Sequence, residues 1–180
     1  MLLADDRVDL PPEVRHLDNA LPTRREPGVV AHLYSGQTGE LTSPTKNHAT
    51  VTMVDFELRP GVVVEQLLPA SDSGFLYVIE GAVLAGTDRT PVAREKLGWL
   101  DRPEGLMSAL CLEGGPAGAR VLLYAGQPQN EPVIHHGPFV AGSEAELARF
   151  FGEFRAGRFQ RLSQLPPESG RSGVQPHELG

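Results

Sequence analysis

Cysteine is almost absent from this sequence, since Cys111 is the only one among 180 residues. A single cysteine excludes an intramolecular disulfide and any zinc site built from several thiolates. Basic residues are also scarce, because 16 lysines and arginines stand against 23 aspartates and glutamates, for a formal net charge of −7. This balance opposes sequence-independent binding to nucleic acid, which depends on clustered lysine and arginine. We therefore expect no direct nucleic-acid partner.

Long apolar segments are missing as well. The first residues lack the basic and apolar regions of an export signal, and no apolar run approaches the roughly 20 residues that cross a membrane. A lone cysteine also suits a reducing compartment. The sequence therefore predicts a cytoplasmic protein that does not bind membranes.

Short apolar runs bounded by turn residues occupy the middle of the chain. In one of them, Thr52, Val54 and Phe56 alternate with Met53 and Asp55, and this period of two is typical of a β-strand. Many short strands at such spacing are typical of a sandwich or barrel. The predicted strands cover residues 29–34, 49–58, 62–68, 75–80, 96–100, 107–112 and 120–125.

Turns are predicted where glycine interrupts these runs. Glu80 directly precedes Gly81 and is expected to cap a turn there. The segment Gly114–Gly118 has no lysine or hydroxyl of a phosphate-binding loop, so it is expected to connect two strands of a hairpin.

One amphipathic helix is predicted near the carboxyl terminus. Ser143 and Glu146 have the spacing of a capping box, and Gly157 is expected to end the helix. Phe150, Phe151 and Phe154 form an apolar stripe that suits docking onto a barrel wall.

The chain is therefore divided into three parts. Residues 1–28 are broken by prolines and predict an extended amino-terminal arm. Residues 29–162 are expected to form one domain, and residues 163–180, which have little to bury, a disordered tail.

A resemblance to a known family extends this interpretation. The segment Ala125–Val140, AGQPQNEPVIHHGPFV, is followed by the acidic helix ending in Ala156–Phe159, and together they resemble the closing signature of the pirin family. The segments Phe75–Gly81, Leu58–Gly61 and Val8–Pro12 resemble pirin positions in the same order. The resemblance covers residues 8 to about 160 and implies an all-β cupin fold, a double-stranded β-helix or jelly-roll barrel with one C-terminal helix.

Pirins are bicupins, and the resemblance is to their C-terminal barrel. It implies that residues 1–28 correspond to the linker between the two barrels. The family's iron and its quercetin dioxygenase chemistry belong to the N-terminal barrel, for which we find no counterpart in this sequence. We therefore expect no cofactor in this chain.

The residues at the family's ligand positions do not predict a cupin metal site. A catalytic cupin binds its metal through three histidines and a glutamate, and none of the residues at those positions here binds iron or zinc well. No histidine lies between His48 and His135. In a first motif that runs from Gly61 to Gly81, the two histidine positions are occupied by Leu67 and Pro69, and the glutamate position by Ser73 or Gly74. In a second motif framed by Gly98, Pro103 and Gly105, the last histidine position is occupied by Ser108.

Other residues are candidates for a pocket or a partner contact. Glu65 interrupts an apolar run and faces either the barrel interior, as a pocket residue, or solvent. His135 and His136 are adjacent, so in an extended segment they point to opposite faces and favour a conformational or partner contact over one shared ion. Tyr77 and Phe139 are further candidates.

Two more histidines flank a long loop. His32 and His48 lie on either side of residues 36–44 and are placed to meet across a strand pair. Such a pair supplies two metal ligands with no evident third. It therefore predicts at most an adventitious metal site.

Three functions remain open at this stage. The first is a metal-free, non-catalytic regulatory or protein-interaction module, a homodimer or bound to a separate protein through the surface that the other cupin normally covers. The second is a metal-dependent dioxygenase of the quercetin 2,3-dioxygenase type that acts with a separate metal-bearing cupin. The third is a small-molecule binding barrel, because cupin interiors are concave and apolar.

Overall fold

The structure, a computed structural model, describes residues 21–45 and 47–159. Its described part forms two compact units, residues 21–129 and residues 130–159. Most of the predicted arm and the whole of the predicted tail, 163–180, lie outside the described residues.

The end of the predicted arm differs from the prediction. Thr23–Glu26 form strand β1, which pairs with strand β2, Val29–Ser35. The two strands are joined by a tight turn at Gly28, whose positive φ of 83° suits glycine. The prolines of the arm therefore do not prevent residues 23–26 from joining the sheet.

The first unit holds ten strands in the described part of the chain, and all of their pairings are antiparallel. After β1 and β2 these are β3 Gln37–Thr38, β4 Leu41–Thr42, β5 Val51–Leu58, β6 Val63–Pro69, β7 Ser73–Ala85, β8 Thr90–Ala93, β9 Leu97–Trp99 and β10 Met107–Gly126.

Eight of these strands form one sheet, in the order β1-β2-β5-β10-β7-β8, with β6 also paired to β10 and β9 to β7. The long strand β10 pairs with β6 through its first half and with β5 through its second half. Apolar side chains from β2, β5, β6, β7 and β10 join one buried cluster, so the sheet folds over itself around a core. The predicted all-β architecture is confirmed.

The core follows the period of two. On β5, Val54, Phe56 and Leu58 are buried and alternate with side chains on the outer face. On β6, Val64 and Leu68 are buried in the same way. This alternation decides which candidate site residues face the interior.

The glycine-rich segment predicted as a hairpin connection lies inside strand β10 instead. Gly114 to Gly118 form an irregularity in its pairing with β7, where the register shifts before Ala119. A Cβ on Gly114 would lie 2.3 Å from the carbonyl oxygen of Arg59, and one on Gly81 would lie 2.1 Å from that of Gly118. The glycines therefore permit close backbone approach, and Glu80 and Gly81 lie within β7 rather than in a turn.

The second unit holds a two-stranded hairpin, β11 Ile134–His136 and β12 Phe139–Ala141, followed by helix α1, Glu144–Arg155. The Ser143 side chain accepts a hydrogen bond from the backbone N–H of Glu146, and Gly157 adopts a φ of 67° after the last turn. The predicted helix and both of its ends are confirmed. No helix in the described residues has the length and apolar character needed to cross a membrane.

Candidate functional site

The predicted ligand positions do not share one face of the sheet. Leu67 and Pro69 lie on β6, Gly74 on β7 and Ser108 on β10. Leu68 lies directly opposite Ser108, so these two side chains share the interior face. Leu67 is 56% exposed on the other face, and Pro69 alternates with Leu68 in the same way. Gly74 is buried on β7. Spacing along the sequence predicts Leu67 and Pro69 as interior residues of β6. The residues that face the interior are instead Gln66 and Leu68, one position earlier in each case.

The interior side chains of β6 do not fit a catalytic metal. They are Val64, Gln66 and Leu68, of which only Gln66 is polar. Iron in such a site needs imidazole or carboxylate ligands. Within residues 21–45 and 47–159, no group of three or more histidine, cysteine, aspartate or glutamate side chains is close enough to hold an ion. The described part of the barrel therefore offers no set of ligands that suits a catalytic metal.

Gln66 is fixed by two backbone carbonyls. It is 1% exposed, and its Nε2 donates to the carbonyl oxygens of Gln37 at 2.9 Å and Leu67 at 2.8 Å. Because both partners are acceptors, they define which end of the amide is nitrogen. Its Oε1 has no hydrogen-bond partner among the described residues. A buried acceptor that only a donor can satisfy therefore remains.

A cavity of about 510 Å³ lies beside Gln66, and we name it the Gln66 cleft. Its polar wall includes Thr42, Ser43 and Thr45, from the loop that carries β3 and β4. Its apolar wall includes Leu67 and Met107. Sequence reasoning missed this site, because a lone glutamine in the run 62–68 gives no sign of which face it occupies.

A second cavity, of about 640 Å³, is lined by charged side chains including Glu57, Glu80 and Arg120. We name it the Arg120 cleft. Arg120 donates to the Asp55 carboxylate through Nη2 at 2.7 Å and Nε at 3.1 Å, and the Asp55 side chain is 4% exposed. The pKa of Arg120 is raised above its usual value by these hydrogen bonds. The partners are 65 residues apart, so no sequence motif indicates the pair.

Aromatic side chains cross the outer face of the sheet. Cross-strand pairing aligns Trp99 on β9, Phe75 on β7, Tyr124 on β10 and Met53 on β5 in one row. Phe75 lies 5.8 Å from Trp99, edge to face, and is stacked on Tyr124 at 5.6 Å, between ring centroids. Tyr77 belongs to the neighbouring row of outward-facing side chains. Together the two rows make this part of the outer face apolar.

The second row pairs Tyr77 with Leu97 on β9 and with Leu122 on β10. Trp99 is 78% exposed and Leu97 is 46% exposed. We name Phe75, Tyr77, Leu97, Trp99 and Tyr124 the aromatic face. Leu97 and Trp99 are exposed and the other three are partly buried. An outer sheet face normally carries polar residues, so these five side chains mark a candidate contact surface.

Asp72 is a buried carboxyl that sequence reasoning did not single out. It lies between β6 and β7, is 6% exposed, and its Oδ2 has no partner among the described residues. Burial raises the pKa of this carboxyl above its ordinary value of 3.8. A raised pKa means that the folded state holds the proton more tightly than the unfolded chain does.

We expect Asp72→Asn to stabilise the barrel increasingly as the pH rises. With a raised folded pKa, the contribution of Asp72 is fully present below the unfolded pKa and is lost as the pH passes the folded pKa. An asparagine has no proton to lose. Urea unfolding between about pH 3.5 and pH 7 should show a gain from the substitution that grows over this range. A gain that is the same at both ends, or a loss, would contradict this account.

The histidine pair lies in the second unit. His135 and His136 are both exposed, on strand β11. The ring of His136 meets Phe151 edge to face at 5.2 Å, and Phe139 lies 4.6 Å from Phe151 and 5.5 Å from Phe154. The phenylalanine stripe of α1 thus packs on Phe139 within its own unit. A partner contact through these residues stays a prediction.

Two other predicted residues are placed on the barrel surface. Glu65 is exposed and faces away from the interior, so of the two alternatives the structure supports the solvent-facing one. His32 has its Nδ1 3.1 Å from Thr23 Oγ1 and its Nε2 3.8 Å from Glu57 Oε1. A shared site with His48, which is exposed, stays a prediction.

Comparisons with known proteins agree with this architecture. The pirin C-terminal cupin domain matches residues 53–160. A pirin-like protein from Solanum lycopersicum is 30% identical over 155 residues, which cover 84% of this chain and 52% of that protein. A putative quercetin 2,3-dioxygenase from Pseudomonas aeruginosa is 31% identical over 130 residues, 72% of this chain and 44% of that protein.

A crystal structure of quercetin 2,3-dioxygenase from Acinetobacter baumannii superimposes with a TM-score of 0.74, covering 98% of this chain and 57% of that one, at 20% identity. This likeness confirms the predicted cupin fold. The chain spans about half the length of the curated relatives it matches. From the domain match and the shared fold, the chain belongs to the pirin family, with its match in the family's C-terminal cupin domain.

Proposed function

We propose that this barrel is a non-catalytic module that binds a protein partner through its aromatic face. The observation that carries the proposal is the row formed by Trp99, Phe75, Tyr124 and Met53 across four strands, with Trp99 78% exposed. Exposed tryptophan and tyrosine are enriched at the centres of protein interfaces, where they bury large areas.

The partner we propose is a second copy of this chain. The aromatic face is itself uncharged, so two copies can approach through it although each carries a net charge of −7. A two-fold arrangement would place equivalent rows against each other. In the relatives, about half of the protein lies outside the matched part, which leaves length for another cupin barrel to cover such a face. In such a longer relative, the surface that corresponds to the aromatic face would suit contact with that other barrel.

The alternative is dioxygenase chemistry together with a separate metal-bearing cupin. The relative from Pseudomonas aeruginosa, a putative quercetin 2,3-dioxygenase, favours it. The barrel interior argues only against a metal in this chain itself, because Gln66 and Ser108 occupy the face on which a cupin would hold its metal. Neither side chain is a ligand of the imidazole or carboxylate type that iron needs.

Metal retention tests whether this barrel holds a catalytic metal of its own. We expect the protein, incubated with Fe(II) under anaerobic conditions and then desalted, to keep less than about one tenth of an equivalent of iron by mass spectrometry. The double variant His135→Ala/His136→Ala is the control, because it removes adjacent imidazoles outside the barrel. Near-stoichiometric iron in both proteins would contradict the non-catalytic proposal, because this barrel would then hold a metal of its own.

A further inference from the structure

The aromatic face has the dimensions of a site for a short proline-rich segment. Tyr124, Phe75 and Trp99 stand on three neighbouring strands, so their row spans two strand spacings, about 10 Å. The ring planes of Phe75 and Trp99 meet at 74°, which forms a corner rather than a flat surface. Three residues in the polyproline II conformation extend about 9 Å, which matches the length of this row.

The same face carries hydrogen-bond donors that are not in use. Trp99 Nε1 and the hydroxyls of Tyr77 and Tyr124 have no hydrogen-bond partner in the described part of the chain. A proline offers a carbonyl acceptor and no N–H, and a polyproline II backbone makes no internal hydrogen bonds. Aromatic rings with nearby donors therefore suit such a segment, which is how aromatic-lined surfaces bind proline-rich peptides.

The chain itself contains two segments of this kind. Leu10–Glu13 and Leu165–Glu168 both read Leu-Pro-Pro-Glu, and both lie outside the described residues. Their leucine and prolines are uncharged, as is the aromatic face. The described residues leave 78% of Trp99 uncovered, so space for such a segment exists there.

The amino-terminal segment is within reach of the aromatic face. Cross-strand pairing places Thr23 on β1 in one row with Tyr77 on β7, with one residue of each of β2, β5 and β10 between them. The row therefore spans four strand spacings, about 19 Å, along the same outer face. The ten residues 13–22 connect Pro12 to Thr23, and an extended chain of that length spans about 33 Å.

We propose that Leu10–Glu13 binds the aromatic face of its own chain as a polyproline II strap and competes there with a second copy. The proposal deepens the proposed function, since it names what controls access to the aromatic face. A tether of this length gives an effective concentration of about 1 mM, so a strap with an affinity of about 0.1 mM covers about nine tenths of the faces. Self-association is then about tenfold weaker than for an uncovered face.

Fluorescence of Trp99 tests the strap directly, because it is the only tryptophan in the chain. The variant Pro11→Gly/Pro12→Gly removes the polyproline II preference, and Pro166→Gly/Pro167→Gly makes the same change in the other copy of the segment. At about 0.5 µM protein, where self-association of ordinary strength is absent, the first variant is expected to raise the acrylamide quenching constant of Trp99 at least about twofold. The second variant should leave it unchanged.

A peptide of residues 6–15 supplies the segment separately. Added at about 1 mM to the first variant, it should lower the quenching constant again, because it takes the place of the altered strap. No rise in the first variant, an equal rise in both variants, a rise only in the second, or no protection by the peptide would overturn the proposal.

Self-association distinguishes failure of the strap from failure of the proposed function. By light scattering, Pro11→Gly/Pro12→Gly is expected to associate about tenfold more tightly than the unaltered protein. If the unaltered protein dimerises and neither its affinity nor the quenching responds to this variant, the strap is wrong and the proposed function stands. If the quenching responds as expected but no variant associates at any concentration, the strap stands and the proposed second copy is wrong.

Discussion

Arg120→Leu is expected to lower the free energy of unfolding by about 3 kcal/mol, because it leaves a buried carboxylate without its counter-ion. The Asp55 side chain is 4% exposed and accepts hydrogen bonds from Nε and Nη2 of Arg120 at 3.1 and 2.7 Å. Removing one partner of a buried pair costs far more than the pair contributes, since the remaining charge stays out of water. Urea unfolding at neutral pH measures the loss.

A less buried ion pair in the same barrel is the matched control. Arg89 lies 2.8 Å from Glu113, a distance close to that between Arg120 and Asp55. The Glu113 side chain is 20% exposed against 4% for Asp55, and the Arg89 side chain 61% against 41% for Arg120. Arg89→Leu should therefore cost less than about 1 kcal/mol. The double variant Asp55→Leu/Arg120→Leu should recover much of the stability lost by Arg120→Leu alone. Equal losses at the two arginines would show that burial of Asp55 is not the cause.

Trp99→Arg is expected to weaken self-association by about 30-fold, which corresponds to about 2 kcal/mol. The substitution removes the most exposed aromatic ring of the aromatic face and its contact with Phe75, and places a charge where two apolar surfaces are proposed to meet. Because Trp99 is 78% exposed, the change should have little effect on the stability of the monomer. Sedimentation equilibrium measures the dissociation constant of each variant.

Val63→Arg is the control for a nonspecific effect of charge. Val63 is 57% exposed on β6, away from the aromatic face, so the same arginine there should leave association unchanged. If both variants weaken association equally, the added charge rather than the aromatic face is responsible. If neither does, the partner surface lies elsewhere on the chain.

The period of two in the apolar runs predicted most of the barrel strands, because burial on one face imposes that pattern. The pattern does not predict segments whose conformation depends on something other than burial of one face. Strand β8 was missed, since only Val92 of its four residues is buried. The glycines of 114–118 predict a turn because glycine is common in turns, whereas here glycine is needed for close backbone approach.

The candidate sites were harder to predict, because each depends on which strands are neighbours. Whether Glu65 or Gln66 faces the interior depends on the register of β6 against β10, and a shift of one residue exchanges them. The pairing of Asp55 with Arg120 and the alignment of Phe75 with Trp99 and Tyr124 come from strand order. Such contacts leave no local signal in the sequence.

The mass of the unaltered protein in solution tests the proposed interaction module most directly. Multi-angle light scattering over about 1 to 100 µM would detect self-association of ordinary strength. The proposal predicts a mass of twice 19.4 kDa at the upper concentrations, with dissociation on dilution. A mass of 19.4 kDa at every concentration would contradict association through the aromatic face.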